Sequence, residues 1–168
     1  MKKIIISIMF FSFLKADIIK DFLSKNYEKI CTYKTIDMYM KDDKALSIIG
    51  LSCLKLDKLY MLPYVFNKLK RTKKGRKNGI YFLTIYTQKK LLYSYLFDNL
   101  SLDAFSLPET DYILSKVFWA IKLKDYKKEK DKFVIIIDEK RVYVYKKEDK
   151  FFVDEYKENK LIKRHWYR

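Results

Sequence analysis

Hydrophobic and polar positions alternate along the first 125 residues with the spacing of amphipathic helices. Apolar side chains recur every three or four positions, which places them on one helical face. In the first stretch they stand at positions 18, 19, 22, 23, 27 and 30. The pattern predicts helices over residues 17–30, 43–56, 58–69, 79–100 and 106–126.

The predicted helix ends carry residues suited to them. Asp17 is placed to cap the first helix, and Ser106 is placed to cap the last one, whose first turn contains Pro108. Pro63 lies inside the third pattern. That helix must begin near Pro63 or bend there, because proline has no backbone N–H to donate.

The period changes from helical to alternating at about Lys132. Four short runs, FVIIID, VYVYKK, FFVDEY and LIKRHWYR, are rich in β-branched and aromatic residues. The polar turns DEKR, EDK and KENK separate them and are short enough for tight hairpins. Residues 132–168 are therefore predicted to form a four-stranded antiparallel β-meander.

Helices followed by strands predict an α+β fold with segregated elements. We expect helical hairpins in a bundle over residues 17–125 and a β-meander subdomain over 132–168, joined by the charged residues 122–132. With 168 residues, of which 49% are hydrophobic, the chain is large enough to bury a core.

Residues 1–16 have the order of a secretory signal peptide. A dibasic start precedes an apolar run from Ile4 to Leu14, and Ala16 ends the segment. The run is too short to span a bilayer, which needs about 20 apolar residues. We expect a periplasmic or secreted protein with no stable membrane span after cleavage. Cleavage removes three lysines from a net charge of +16 and leaves +13. The other interpretation is an ordinary buried first helix or strand.

Cys31 and Cys53 are the only cysteines. In an oxidising compartment they are expected to form a disulfide, with two buried thiols as the alternative. Catalysis by either cysteine together with His165 has no supporting signature. No CxxC spacing or neighbouring histidine indicates a metal site, and we expect neither a metal nor a cofactor.

No catalytic motif is present. The chain lacks GxSxG, HExxH and a glycine-rich phosphate loop, and it has only three glycines. His165, the single histidine, is expected to be a partly exposed strand residue rather than a general base. The acids Asp98, Asp103, Glu109 and Asp111 fit helix capping and solvation better than paired acid–base chemistry. A non-enzymatic protein is therefore expected.

Charge is distributed in blocks along the chain. Residues 58–90 contain ten bases and no acid, whereas residues 91–115 contain four acids and no base. Seven of these bases lie in KLKRTKKGRK, residues 68–77, hereafter the basic segment: Lys68, Lys70, Arg71, Lys73, Lys74, Arg76 and Lys77. Thr72, Gly75 and the following Asn78 predict a solvated loop between helices.

Two roles suit such a segment. It could dock a partner protein of opposite charge, or it could bind an anionic polymer such as DNA, lipopolysaccharide or glycan. The segment contains no aromatic residue to stack on bases, which favours protein docking. Tyrosines 81, 86, 93 and 95 of the next helix are expected in a core or interface.

Residues 46–70 resemble one tetratricopeptide-type helical hairpin. Gly50 stands where that repeat has a small residue at a close helix contact, and Phe66 stands where an aromatic is expected. Cys53 replaces the usual aromatic. The resemblance implies stacked helical pairs that present a protein-binding surface.

The lysine-, isoleucine- and tyrosine-rich composition behind a short export segment is similar to small exported proteins of Campylobacter-type bacteria. Among those are accessory proteins of the periplasmic flagellar-motor scaffold, and this resemblance implies a structural role. We therefore expect a periplasmic adaptor or scaffold that binds other envelope proteins, with an exposed edge of the meander as a further docking element. A basic module for an anionic polymer is the alternative, and a small cysteine-dependent hydrolase ranks third. The oligomeric state is left open.

Overall fold

The computed structural model describes residues 17–168, and the predicted export segment, residues 1–16, lies outside the described residues. Helices come first and strands follow, which confirms a mixed helix-and-sheet architecture. The helical elements are α1 (residues 17–23), α2 (Tyr27–Ile30), α3 (Tyr33–Met38), α4 (Asp43–Lys55), a 3₁₀ turn (Leu59–Met61), α5 (Leu62–Phe66), α6 (Lys73–Asp98) and α7 (Ile113–Lys122).

The C-terminal sheet has five antiparallel strands in sequential order, so the prediction of four strands was wrong. The strands are β1 (Lys127–Glu129), β2 (Lys132–Ile137), β3 (Lys140–Lys147), β4 (Lys150–Lys157) and β5 (Lys160–Tyr167). The additional strand, β1, consists of three exposed polar residues that pair with β2. It has no hydrophobic alternation from which it could be predicted.

The strand register gives the sheet a buried face and a more exposed face. Val153 pairs with His165 across β4 and β5, and both are buried. The neighbouring pair, Phe152 and Trp166, lies on the opposite face, where Trp166 is exposed. Residues directly opposite each other in a ladder share a face, so the alternation seen in the sequence is realised in the sheet.

Two predicted helices in the first half of the chain are shorter in the structure. The first pattern is interrupted at Lys25, whose φ of 60° ends α1. The third pattern begins as a 3₁₀ turn and continues as α5, which has Pro63 in its first turn and ends at Phe66. Both helices are therefore much shorter than the sequence pattern predicts.

The last helix begins at Ile113 and not just after Ser106. Residues 99–112 form no helix. Within this stretch the carbonyl of Pro108 accepts a hydrogen bond from Gln88 Nε2 at 3.1 Å, and the backbone N–H of Thr110 donates to Ser115 Oγ at 2.9 Å. These side-chain contacts replace the early helical turns that the sequence pattern predicts.

The chain divides by its packing into two compact units, with the boundary inside α6. The helical unit comprises the described residues up to Leu83, and the sheet unit runs from Thr84 to Arg168. Fully buried side chains in the helical unit include Ile30, Ile36, Leu46, Ile49 and Leu62. Those in the sheet unit include Leu114, Phe118, Val142, Val144 and Phe151.

Cys31 and Cys53 form a disulfide, which confirms the predicted pairing. It joins the C-terminal end of α2 to α4 within the helical unit, and both cysteines are buried. Disulfides are typical of exported proteins. Among residues 17–168 no helix is both long enough and apolar enough to cross a membrane.

Candidate docking site

The basic segment lies at the head of α6. Its first half is the loop after α5, whereas residues 73–77 form the first turns of α6. The predicted inter-helix loop is therefore wrong for the second half of the segment. Thr72 caps the helix, because its Oγ1 accepts a hydrogen bond from the backbone N–H of Gly75 at 2.9 Å.

A buried carboxylate from α4 holds this helix start in place. Asp43 Oδ2 accepts hydrogen bonds from the Thr72 backbone N–H at 2.6 Å and from Thr72 Oγ1 at 3.0 Å. Asp43 is only 4% exposed. A carboxylate is favourable here because the unpaired N–H groups of a helix start carry partial positive charge. The contact attaches the basic segment to α4.

The heads of α4 and α6 lie in close contact. A Cβ added to Gly75 would lie 2.1 Å from Asp43 Oδ2, so any larger residue would displace the carboxylate. One turn further along α6, Asn78 Nδ2 donates to Ser47 Oγ at 2.8 Å. The head of α6 is therefore held against α4 by contacts in successive turns.

Farther along, α4 and α6 approach each other at Gly50. A Cβ added to Gly50 would lie 2.4 Å from the ring of Phe82. Gly50 therefore lies at a close contact between α4 and α6. Since the contacts advance in the same sense along both helices, α4 and α6 run parallel up to Phe82.

Most charges of the basic segment have no ionic partner. Lys68 Nζ lies 3.7 Å from Asp37 Oδ1. The other six bases are exposed and form no ion pair with any residue in 17–168: Lys70, Arg71, Lys73, Lys74, Arg76 and Lys77. The structure brings these side chains together around one helix end.

A groove of about 970 Å³ adjoins the basic segment. It is bounded by the turn that follows α3, one face of α4 and the head of α6. Its hydrophobic lining residues are Met38, Tyr39, Met40, Ile48 and Leu51, and its basic lining residues are Lys41, Lys44, Arg71 and Lys74.

Three acidic residues line the groove, and each already has a partner; Asp37 Oδ1 lies 3.7 Å from Lys68 Nζ. Asp42 Oδ1 accepts hydrogen bonds from the backbone N–H groups of Lys44 at 3.0 Å and Ala45 at 3.2 Å, and so caps α4. Asp43 holds the start of α6. The basic residues around the groove are therefore not neutralised by these carboxylates.

His165 is buried, so the expectation of a partly exposed strand residue was wrong. Its Nε2 lies 2.9 Å from Glu155 Oε1, and Lys140 Nζ lies 2.9 Å from Glu155 Oε2. Burial raises the pKa of Glu155, but hydrogen bonds from His165 and Lys140 outweigh burial and hold this pKa below its ordinary value. The His165 side chain is only 1% exposed, which denies a substrate access to the imidazole.

A second carboxylate of β4 points to the other sheet face. Asp154 accepts hydrogen bonds from Arg164 Nε and Nη2, both at 2.8 Å, and from the Tyr145 hydroxyl at 3.0 Å. The Asp154 carboxylate raises the pKa of the Arg164 guanidinium. Both strand carboxylates therefore hold neighbouring strands together.

The four acids singled out from the sequence are all exposed: Asp98, Asp103, Glu109 and Asp111. Asp103 accepts a hydrogen bond from Ser101 Oγ at 2.9 Å, which is a local turn contact. Of the tyrosines in α6, Tyr93 stacks on Phe97, as expected for a packing role. Within the described part of the chain, no group of three or more histidines, cysteines or acids could hold a metal.

Sequence reasoning missed the hydrophobic half of the groove. Leu51 falls outside the buried face of α4 and is 38% exposed, and Met38 and Met40 flank the end of α3. Single exposed apolar residues are common and carry no signal alone. Only their convergence in space reveals a site.

No family model, curated protein or solved structure matches this chain.

Proposed function

We propose that this protein is a non-enzymatic adaptor or scaffold of the cell envelope, and that the basic segment docks a partner protein. The observation that carries the proposal is the placement of Lys73, Lys74, Arg76 and Lys77 in the first turns of α6 with no acid among them. Positive charges at a helix start oppose the macrodipole. The cluster is therefore unfavourable for the helix itself and is explained by an external anionic partner.

The fixed geometry of the segment supports protein docking. Asp43, Thr72 and Gly75 hold the helix head to α4, so the backbone that carries the charges has little conformational freedom. A preorganised surface loses less entropy on binding. The disulfide and the predicted export segment support an oxidising compartment such as the periplasm for this interaction.

The likeness of residues 46–70 to a tetratricopeptide hairpin belongs to the same proposal. Its support is the parallel packing of α4 and α6 around Gly50 and Phe82, since repeats of this class stack successive helices to create binding surfaces. The structural role within an envelope assembly, of the kind found around flagellar motors, remains part of the proposal.

Photo-crosslinking in the native cell tests the proposal. A photoreactive residue at Lys73 or Lys77 should capture the same envelope protein, whereas one at Lys147, an exposed lysine of the inner strand β3, should not. Neither Lys73 nor Lys77 lines the groove, so this experiment reports on the segment alone.

Charge variants distinguish the protein from an anionic polymer. Replacement of Lys73, Arg76 and Lys77 by Gln should weaken capture of the protein and make the remaining capture less sensitive to added salt. If the same variant instead abolishes retention on DNA or lipopolysaccharide, and no protein is captured at either position, the polymer alternative replaces the adaptor.

A further inference from the structure

The groove of the helical unit has an apolar wall that the fold leaves open. Met38, Met40 and Leu51 are 46%, 48% and 38% exposed, although each has a large hydrophobic side chain. Covering hydrophobic surface of this kind with a ligand lowers the free energy of the system. The unbranched methionines can adapt to the shape of that ligand.

The groove also has a cationic margin. Lys41, Lys44, Arg71 and Lys74 line it, and none of them forms an ion pair with any described residue. The carboxylates closest in sequence, Asp42 and Asp43, are used at the starts of α4 and α6. A ligand with one negative charge would therefore find several unpaired cations.

The polar and apolar residues follow an order along α4. Lys44 lies in its first turn, Ile48 in the second and Leu51 in the third. Seven residues of helix between Lys44 and Leu51 span about 10 Å. One face of α4 thus changes from cationic to hydrophobic over the length of a short acyl chain.

The size of the groove indicates a small molecule. Its volume of about 970 Å³ falls within the range of about 300–1,000 Å³ for ligand sites. Its walls come from two short spans of the chain, residues 37–51 and 71–78. A partner helix would instead need a surface of about 800 Å² on each side for a standard interface.

We propose that this groove binds a fatty-acid anion. The acyl chain lies along Ile48 and Leu51 between the two methionines, and the carboxylate meets the cations at Lys44 and Lys74. This ligand satisfies both features of the groove at once, because it covers the apolar wall and neutralises the margin. The inference stands independently of protein docking by the basic segment.

Isothermal titration with octanoate, decanoate and laurate, each below its micelle concentration, tests the chain requirement. Affinity should rise about fourfold for each added CH₂, as expected when each group is transferred from water to an apolar site. Alkyltrimethylammonium ions of equal chain length should bind much more weakly, because their charge has the sign of the margin.

Substitutions in the groove locate the site. Leu51→Asp should reduce laurate affinity at least tenfold, and its partial exposure makes the change compatible with folding. Lys44→Gln combined with Lys74→Gln should reduce it about two- to fivefold for each charge, with no loss of affinity for a neutral alkyl maltoside. Lys157→Gln, an exposed lysine of the sheet unit, is the matched control. Far-UV circular dichroism and retention of the disulfide confirm folding.

Several results would overturn the inference. Affinity that does not depend on chain length, equal binding of carboxylates and trimethylammonium ions, or an unchanged Leu51→Asp variant each excludes an acyl site. Binding to anionic phospholipid vesicles without binding to monomeric laurate would assign the cations to a membrane surface. Displacement by an acidic peptide with no measurable laurate binding would assign the groove to a protein.

Discussion

The helical unit and the sheet unit both bury carboxylates, yet they compensate the buried charge differently. In the helical unit, Asp43 accepts hydrogen bonds from Thr72 at the start of α6. In the sheet unit, Glu155 contacts Lys140 and His165 on the two neighbouring strands. The difference follows from the backbone, because a helix start has N–H groups without intrahelical partners, whereas the N–H groups of a central strand are used in the ladder.

This difference decides which cations remain available to a ligand. The sheet unit pairs Lys140 and Arg164 with its own carboxylates. The helical unit gives Asp43 hydrogen bonds to its Oδ2 alone and leaves the bases around it without acids. Unpaired positive charge therefore accumulates at the head of α6, and it is there that we propose a binding site.

The two units also differ in how their cores are stabilised. The sheet unit has strands of six to eight residues in a continuous ladder. In the helical unit, α2 and α3 have only four and six residues, and helices this short are marginal in isolation. The disulfide crosslinks the end of the short helix α2 to α4 and so constrains this part of the chain.

Removal of the disulfide should produce the largest effect. Cys31→Ser together with Cys53→Ser should lower the free energy of unfolding by about 3 kcal/mol, because the unfolded chain loses its crosslink. Urea unfolding followed by far-UV circular dichroism measures the helical content. The wild type in reductant should behave like the double variant.

Tryptophan fluorescence makes this experiment selective. Both tryptophans, Trp119 and Trp166, belong to the sheet unit. Their transition should shift less than the circular dichroism transition when the disulfide is removed. Equal shifts would show that the two units unfold as one cooperative unit. The two units would then differ in structure but not in stability.

The contact between α4 and α6 should give the next largest effect. Gly50→Ala places a Cβ 2.4 Å from the Phe82 ring, and overpacking of this kind costs about 1–3 kcal/mol. Phe82→Leu in the same chain should recover part of the loss, because the smaller side chain makes room. Urea midpoints of the three proteins measure both changes.

Gly79→Ala is the matched control for this prediction. A Cβ at Gly79 meets Leu69 only at 3.4 Å, so the substitution should stabilise α6 by up to about 1 kcal/mol through helix propensity. A Gly50→Ala variant as stable as wild type would contradict the tight contact.

Lowering the pH should destabilise the sheet unit through protonation of Glu155. Since the folded pKa of Glu155 lies below its ordinary value, the folded state is stabilised above that value and loses this contribution as the pH falls through the folded pKa. Tryptophan-detected urea unfolding below about pH 5 should show the decline. Glu155→Gln should flatten it, and Glu158→Gln, in an exposed turn, should not.

Mild alkali should change the stability of the sheet unit in the opposite sense to acid. Lys89 is buried in the sheet unit without an ion pair among the described residues, and burial, with help from Lys90, lowers its pKa to about 8. Above that pH the unfolded state binds the extra proton, so stability should rise between about pH 8 and 10. Lys89→Met should remove the rise and should be more stable at neutral pH.

The rise in folding stability with pH should end at about pH 10 because of Tyr95. Burial and a hydrogen bond to Tyr126 raise the pKa of Tyr95 to about 12. The folded state then resists deprotonation that the unfolded state undergoes, and stability falls above about pH 10. Absence of any rise below pH 10 in the wild type would contradict the burial of a charged Lys89.

Local patterns predicted part of this structure correctly. Strands β2–β5 follow from alternation and polar turns, since a strand places successive side chains on opposite faces. The start of α6 was misplaced because residues 73–77 have no apolar periodicity, and their helical state depends on Thr72 and Asp43. The buried state of His165 was missed because its partner, Glu155, is set by the strand register.

By itself the sequence determined the order of helices and strands and the concentration of bases in residues 68–77, and it made a disulfide between its two cysteines an expectation. Only the tertiary structure decided that Asp43 meets Thr72 across 29 residues of chain, and that Met38, Leu51 and Lys74 line one groove. Periodicity and charge are properties of neighbours along the chain. A groove depends on which surfaces pack together, and that is settled by burial and hydrogen bonding over the whole helical unit.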